Sequence, residues 1–424
     1  MTTKKWTPAR LLTEACNWAD ALCEDAYWHD GRCSWLGHSP DEAPQTGPIF
    51  SGVSGLGPEL YAGTSGVALF LAHLANIRLE HRYVETSSGA IRHALHRVHE
   101  IPSDVMLGLH AGAMGVAFAA IAVGRLLQRD DLVTEGVALS KHIVNEAGDR
   151  PLLDFVSGSA SAICGLLVIS DWTNDRELLD LADRLGQGIL DRAAERGTIW
   201  SWANADMNGS AEWSRPLNGL AHGQAGLAVS LLELYARTNT RSYREAAFGA
   251  FAYEDQFIDD EHGNWRDMRV EDGADANDTR HTTAWCHGAP GIALTRLRGM
   301  ELVPECREAL ARTVTIALRG TRAYADKQLQ AKAFDVTNCH GLGGLTEPYV
   351  MAAHAFGNEQ YLEDARALWA DAIRRRGEQA TWLSGVGSGG KNPSLMVGSA
   401  GVGYALLRAY EPSRVPSVLL PSAV

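Results

Sequence analysis

The chain contains no apolar run approaching the roughly 18 residues of a membrane-spanning helix, so no segment reads as a membrane insertion. Cysteine is sparse. The seven present, Cys16, Cys23, Cys33, Cys164, Cys286, Cys306 and Cys339, are odd in number and scattered over 424 residues, which excludes a disulfide framework. Basic residues are in deficit, 38 against 51 acidic. The resulting net charge of −13 argues against nucleic acid and anionic lipid as partners. At the N-terminus Lys4 and Lys5 lack an apolar stretch behind them, because Glu14, Asp20, Glu24 and Asp25 intrude. That is not the pattern of a signal peptide, and a cytoplasmic location is expected.

Glycine is plentiful, at 43 residues, and part of it falls in one recurring segment: Gly-x-x-Gly followed by an apolar run. The first glycines are Gly63, Gly112, Gly158, Gly223, Gly288, Gly341 and Gly398. The third copy is degenerate, with Ser161 in place of its second glycine. Each copy leads into a small-residue apolar helix such as 66–74, the kind that is buried all round. Between copies lie charged segments with 3.6-residue periodicity, such as 177–185, 307–319 and 361–375. The unit is therefore an outer helix, a loop, a glycine-rich turn and an inner helix.

Seven such pairs closed on themselves predict an all-α fold, an (α/α)7 toroid with the turns at one end. A single domain is expected over 1–424, with an N-terminal helix and loop over 1–58 and the seven-repeat toroid over 59–412. An open superhelix of helix pairs is the alternative; it would want polar terminal caps, which the first and last copies lack. In each turn the first glycine is expected at positive φ and the second where helices approach closely. The turns would then aim the positive ends of the inner helices at a shared cavity. Segments 198–202 and 264–270 read as short strands, each ahead of a turn.

Two copies carry distinctive chemistry, Trp285-Cys286-His287-Gly288 and Asn338-Cys339-His340-Gly341. A cysteine at a turn is ordinarily buried packing. Here both cysteines stand two residues before the first glycine, and the other five fall outside that register. Neighbouring repeats thus offer Cys-His pairs from neighbouring turns, which points to a bound zinc, one ion per chain. Three protein ligands would leave the open position of a catalytic zinc; four (Cys286, His287, Cys339, His340) would close the site and make it structural. Spacing alone does not choose. His222, directly before Gly223, is a candidate for proton transfer near neutral pH. Asp154, flanked by Leu153 and Phe155, needs a partner, and orienting a histidine would supply one. His110 reads as a structural histidine in a polar turn.

At these residues the chain resembles the lanthionine synthetase C-like family. The resemblance runs from about Tyr61 to Tyr410 and is carried by the Cys286 and Cys339 motifs with Leu220-Ala221-His222-Gly223. It implies an α/α toroid around one zinc, held by Cys286, Cys339 and His340, with water or a substrate thiol in the fourth place. It also implies that His222 transfers the proton, that Asp154 assists it, and that Trp285, His287 and Arg280 lie near metal or substrate. The implied activity is zinc-dependent ring closure in a ribosomally made precursor peptide: a cysteine thiolate adds to dehydroalanine or dehydrobutyrine and leaves a lanthionine or methyllanthionine thioether.

Two departures from the family pattern stand out. His287 takes the place where free-standing members often have tyrosine, as in cyclase domains fused to a dehydratase or kinase. Thr282 replaces an arginine expected four residues before Cys286, with Arg280 and His281 close by. The expected partners are a dehydrated precursor peptide and a separate dehydratase or kinase/lyase enzyme. Glutathione addition to dehydroamino acids is one rival reading, and a non-catalytic zinc-stabilised peptide scaffold is another. An α/α glycosidase would want paired carboxylates, and none stand out; the acidic stretch 271–278 reads as a solvated loop.

Overall fold

The computed structural model describes residues 7–38, 52–148, 150–203, 215–269, 280–378, 380–385 and 390–422. The acidic stretch 271–278 lies outside them. Among the described residues the chain is 61% helical, and its strands form only short two-stranded sheets. This is an all-α protein.

The helices are α1 (Ala9–Glu24), α2 (Thr64–Ile77), α3 (His81–Arg97), α4 (Ala113–Leu127), α5 (Asp130–Glu146), α6 (Ser159–Thr173) and α7 (Arg176–Leu190). They continue as α8 (Gln224–Thr238), α9 (Arg241–Asp255), α10 (Ala289–Leu302), α11 (Arg307–Gln330), α12 (Leu342–Phe356), α13 (Gln360–Gly377) and α14 (Ser399–Tyr410). Two kinds alternate. Helix α8 is buried at every residue from Gln224 to Leu234, as the small-residue apolar runs predict. Helix α7 buries Leu178, Leu181, Ala182, Leu185, Gly186 and Ile189, one stripe at helical spacing, and turns its charges outward. Its N-terminus is capped by Asp175, whose side chain accepts the Glu177 N–H.

Contacts divide the chain into two compact units. The first comprises Met1–Glu100, Ala119–Gly136 and Ala325–Ser417. Within it α2 packs on α3, α12 on α13, and α14 on α1, so the N-terminal helix serves as outer partner of the seventh inner helix. The turns are bonded in sequence: Cys339 N–H donates to Met396 O at 2.9 Å, and Met396 N–H donates to Tyr61 O at 2.9 Å. The seventh copy is thereby joined to the first, a bond that an open superhelix would not make.

The second unit comprises Ile101–Phe118, Val137–Tyr324 and Val418–Val424. Helix α6 packs on α7, α8 on α9, and α8 also on α6 and α10. The same ladder of turns recurs: His110 N–H donates to Val156 O, Phe155 N–H to Ala221 O, and Ala221 N–H to Cys286 O at 3.2 Å. Each turn therefore fixes the height of the next. The predicted strands appear as two hairpins, Ala194–Arg196 with Ile199–Ser201 and Ile258–Asp259 with Asn264–Trp265.

The glycines act differently from the expectation. Of the seven first glycines, only Gly288 has positive φ, at 89°. Gly223 is extended, at φ −118°, and is glycine because a Cβ there would stand 2.4 Å from the Asn218 carbonyl carbon. The turn doubles back on itself, and its carbonyls cap the helix that follows. Ser159 N–H donates to Leu152 O, Gln224 N–H to Leu217 O and Ser399 N–H to Asn392 O, each seven residues back. These first-turn donors are consumed by the loop, so the inner-helix ends are less open to anions than the sequence suggests. Ser161 earns its place by hydrogen bonding: it accepts the Leu109 N–H at 3.0 Å and donates to Gly158 O.

A buried ion pair in the second unit holds two turns at once. Glu254 of α9 and Arg296 of α10 are both fully buried, with Nη2 3.0 Å from Oε2. Glu254 Oε1 also accepts the N–H groups of Gly219, at 2.8 Å, and Ala225, at 3.1 Å. The Arg296 guanidinium lies 3.6 Å over the Phe251 ring. Helix α9 thus grips both the turn that carries His222 and the helix that begins just after Cys286.

Candidate metal centre

The second unit brings His222, Asp154, Cys286 and His287 into one neighbourhood. Asp154 sits in an Asx turn, its Oδ1 accepting the N–H groups of Val156 at 2.9 Å and Ser157 at 2.6 Å. Its other oxygen faces His222 Nδ1 at 3.4 Å. Burial works against a charged His222, yet the Asp154 carboxylate and the Cys286 sulfur outweigh it and raise its pKa above the ordinary value. His287 lies beside it, ring centroids 5.5 Å apart. Burial pushes His287 down to about 4, so the two neighbouring imidazoles are shifted in opposite directions.

In the first unit Cys339 is buried and His340 exposed, with Sγ 3.3 Å from Nε2. Two ligands at zinc–sulfur and zinc–nitrogen bond lengths, set at a tetrahedral angle, stand about 3.5 Å apart. The pair therefore has the spacing of adjacent ligands to one ion. Asn338 ties this turn down, its amide donating to Leu395 O at 2.9 Å. The three ligand candidates are divided between the units, Cys286 in the second and Cys339 with His340 in the first. Two soft thiolate-type donors and one imidazole are a donor set suited to zinc.

The remaining sequence candidates have structural surroundings. Trp285 is fully buried, donates its indole N–H to Leu419 O at 3.0 Å, and packs on His110. Arg280 is exposed, and its carbonyl accepts the Asp267 N–H. His110 is fully buried between Phe155 O and Val418 O, and burial pushes it down to about 4.

One charged residue escaped the sequence reading. Arg269 follows the Asn264–Trp265 strand and donates to Asp267, at 3.0 and 2.6 Å, and to Thr282 Oγ1 at 3.1 Å. Although burial opposes it, these bonds and one from the Thr282 hydroxyl at 2.6 Å hold the Asp267 carboxyl well below the usual range. The Arg269 charge bears on Cys286, His222 and His287 alike. A guanidinium thus reaches this neighbourhood from a hairpin, beside the Thr282 that stands where an arginine was expected. The only sequence hint was the extended stretch 264–270 ahead of a site-bearing turn.

Residues 54–420 match the family model for lanthionine synthetase C-like protein. The chain belongs to the lanthionine synthetase C-like family. Among curated relatives it is 22% identical over 275 residues to the lacticin 481/lactococcin biosynthesis protein of Lactococcus lactis subsp. lactis. That alignment takes in 64% of this chain and 27% of the relative, so the chain spans only about a quarter of that protein's length. Among solved structures, nisin cyclase superposes with a TM-score of 0.65 at 16% identity, over 94% of this chain and 93% of the other. An alpha-1,6-mannanase from a Salegentibacter species superposes with a TM-score of 0.50 at 11% identity, over 95% and 99% of the two chains. The fold of this family member is the α/α toroid of nisin cyclase. No helix among its described residues is long and apolar enough to cross a membrane.

Proposed function

We propose that this lanthionine synthetase C-like protein closes thioether rings in a ribosomally made precursor peptide, adding a cysteine thiol of the peptide across a dehydroalanine or dehydrobutyrine. The observation that carries this reading is that Asp154 faces His222 beside Cys286 in the second unit, while Cys339 and His340 stand at the spacing of adjacent metal ligands in the first; we assign Cys286, Cys339 and His340 to one zinc. A zinc ion held by those three residues would lower the pKa of a thiol at its open position and make the nucleophile available at neutral pH.

The chain's own residues supply the rest. As the sulfur bonds to the β-carbon, the double-bond electron pair moves toward the α-carbon and its carbonyl oxygen, leaving an enolate. His222 gives that α-carbon a proton from Nε2, since Nδ1 faces Asp154. The proton lost by the substrate thiol balances the one that His222 gives up, so no other reactant is consumed. Asp154 fixes the ring and favours its protonated form. Arg269 places a fixed positive charge where the enolate's negative charge develops. His287, held neutral, leaves the proton to His222. The substrate must come from chemistry that eliminates water from serine or threonine, and we assign that step to a separate enzyme.

Ring closure is tested by incubating the protein with a dehydrated, cysteine-containing peptide and alkylating the remaining thiols before mass spectrometry. Progressive loss of alkylatable thiol at unchanged peptide mass supports cyclisation. A gain in mass by one glutathione when that thiol is present, with the peptide cysteine still alkylated, assigns the protein to intermolecular addition instead.

Asp154→Asn gives a pH test of the histidine's role. A histidine with a raised folded-state pKa keeps its proton below that pKa and loses it as pH rises through it. Asparagine preserves the Asx turn but removes the charge that raises His222. The alkaline limb of the rate profile is therefore expected at lower pH in the variant. Superimposable profiles between about pH 6 and 9 exclude this coupling.

A further inference from the structure

We propose a second metal site in this protein, formed by Asp259, His262 and His281 and suited to a divalent transition ion of borderline softness. All three residues lie in the second unit. Asp259 ends the Ile258–Asp259 strand, His262 lies in the turn that follows, and His281 opens the segment leading to Thr282 and Cys286. Asp259 Oδ1 accepts the His262 N–H at 3.2 Å, which fixes the carboxylate plane. The other oxygen, Oδ2, is left facing two imidazoles, 2.9 Å from His262 Nδ1 and 3.2 Å from His281 Nε2.

Those separations are those of neighbouring ligands around one ion. Nitrogen and oxygen donors at roughly 2.0–2.1 Å from a metal stand about 2.9 Å apart at octahedral angles and about 3.3 Å apart at tetrahedral ones. The three donor atoms all lie within 4.8 Å of one another. The two imidazoles stack with centroids 4.8 Å apart and 25° between planes, each presenting a nitrogen to the same carboxylate oxygen. A second observation points to a ligand: His281 Nε2 is buried, and its 3.2 Å approach to Asp259 Oδ2 lacks hydrogen-bond geometry. A buried ring nitrogen in that state is costly unless something else engages it.

The chemistry narrows the ion. Two imidazoles and one carboxylate favour zinc, nickel or copper over calcium and magnesium, which want oxygen ligands. The neighbouring Asp260 and Glu261 add negative charge, offset in part by Arg319, which binds Asp260. An ion here clamps the hairpin to the segment carrying Thr282 and Cys286, across which Arg269 makes its contact with Thr282. This site shares no ligand with the cysteine/histidine group and stands whether or not the thioether reading holds.

Full-length protein is stripped with chelator, loaded with cobalt(II), desalted into metal-free buffer and analysed for retained metal and for sulfur-to-cobalt charge transfer in the near ultraviolet. Wild type is expected to retain about one equivalent more than His262→Ala and His281→Ala, with the sulfur band unchanged in both variants. His262 is exposed, so its replacement leaves the packing intact, and matching circular dichroism melts verify that. Equal retained metal in wild type and both histidine variants overturns the proposal, as does an additional equivalent that washes out on desalting. The first of these is what a carboxylate merely paired with two imidazoles predicts.

Discussion

With His222 replaced by asparagine, the protein is expected to keep its zinc and its fold while forming thioether about 10²–10⁴-fold more slowly, the usual loss on deleting a general acid. Asparagine is close in shape at its first atoms and its amide can still donate to Asp154, so the local turn survives. It cannot titrate. The adjacent His287 cannot take over, because burial holds it at about 4 and hence without a proton to give. Cys286, Cys339 and His340 are untouched, so metal content separates loss of the acid from loss of the site. The measurement is zinc per chain alongside single-turnover thiol consumption. A variant with wild-type rate assigns the proton to another group.

Replacing Glu254 by alanine is expected to destabilise the protein by about 3–5 kcal/mol, the range for stranding one member of a buried ion pair. Arg296 is fully buried and, among the described residues, would keep only the more exposed Asp255, at 3.4 Å, as an anionic partner. The N–H groups of Gly219 and Ala225 lose their acceptor in the same step. Because these bonds join the His222 turn to α10, activity is expected to fall at temperatures below the loss of bulk helix. Urea titration followed by circular dichroism measures the first effect. Pairing Glu254→Leu with Arg296→Met removes both charges and is expected to recover part of the loss, since an apolar pair leaves no charge stranded. A destabilisation under about 1 kcal/mol for Glu254→Ala contradicts this account of the pair.

Much of the fold was legible in the sequence because it is written as repetition. The spacing of Gly63 through Gly398 counts the turns, and the alternation of all-apolar and striped helices assigns inner and outer layers. What periodicity could not supply was the partner of the seventh inner helix. That partner is α1, at the far end of the chain from α14, and it carries no glycine-rich turn to mark it. The backbone at the glycines was misread for a related reason. A Gly-x-x-Gly pattern says that a Cβ is excluded, but positive φ and close approach exclude it equally well, and only Gly288 is the former.

The candidate site was legible where residues share a register and hidden where they do not. Cys286 and Cys339 occupy equivalent positions, which sets them apart from five other cysteines. Arg269 and Asp267 come from a hairpin inserted between repeats, outside any register, and one arginine among many carries no mark of its own. The Asp259–His262–His281 group was hidden likewise, since His281 lies 19 residues beyond His262 and they meet where the segment from Arg280 to Thr283 lies against Asn264 and Asp267.

The most direct test of zinc-dependent ring closure is to measure zinc content and thioether formation together in wild type and Cys286→Ala. The expected result is that the variant loses the zinc held by Cys286, Cys339 and His340 along with all detectable cyclisation, while its helical signal is unchanged. A Cys286→Ala protein that closes rings at the wild-type rate, or a wild type that binds zinc tightly yet leaves every peptide thiol open to alkylation, would contradict it.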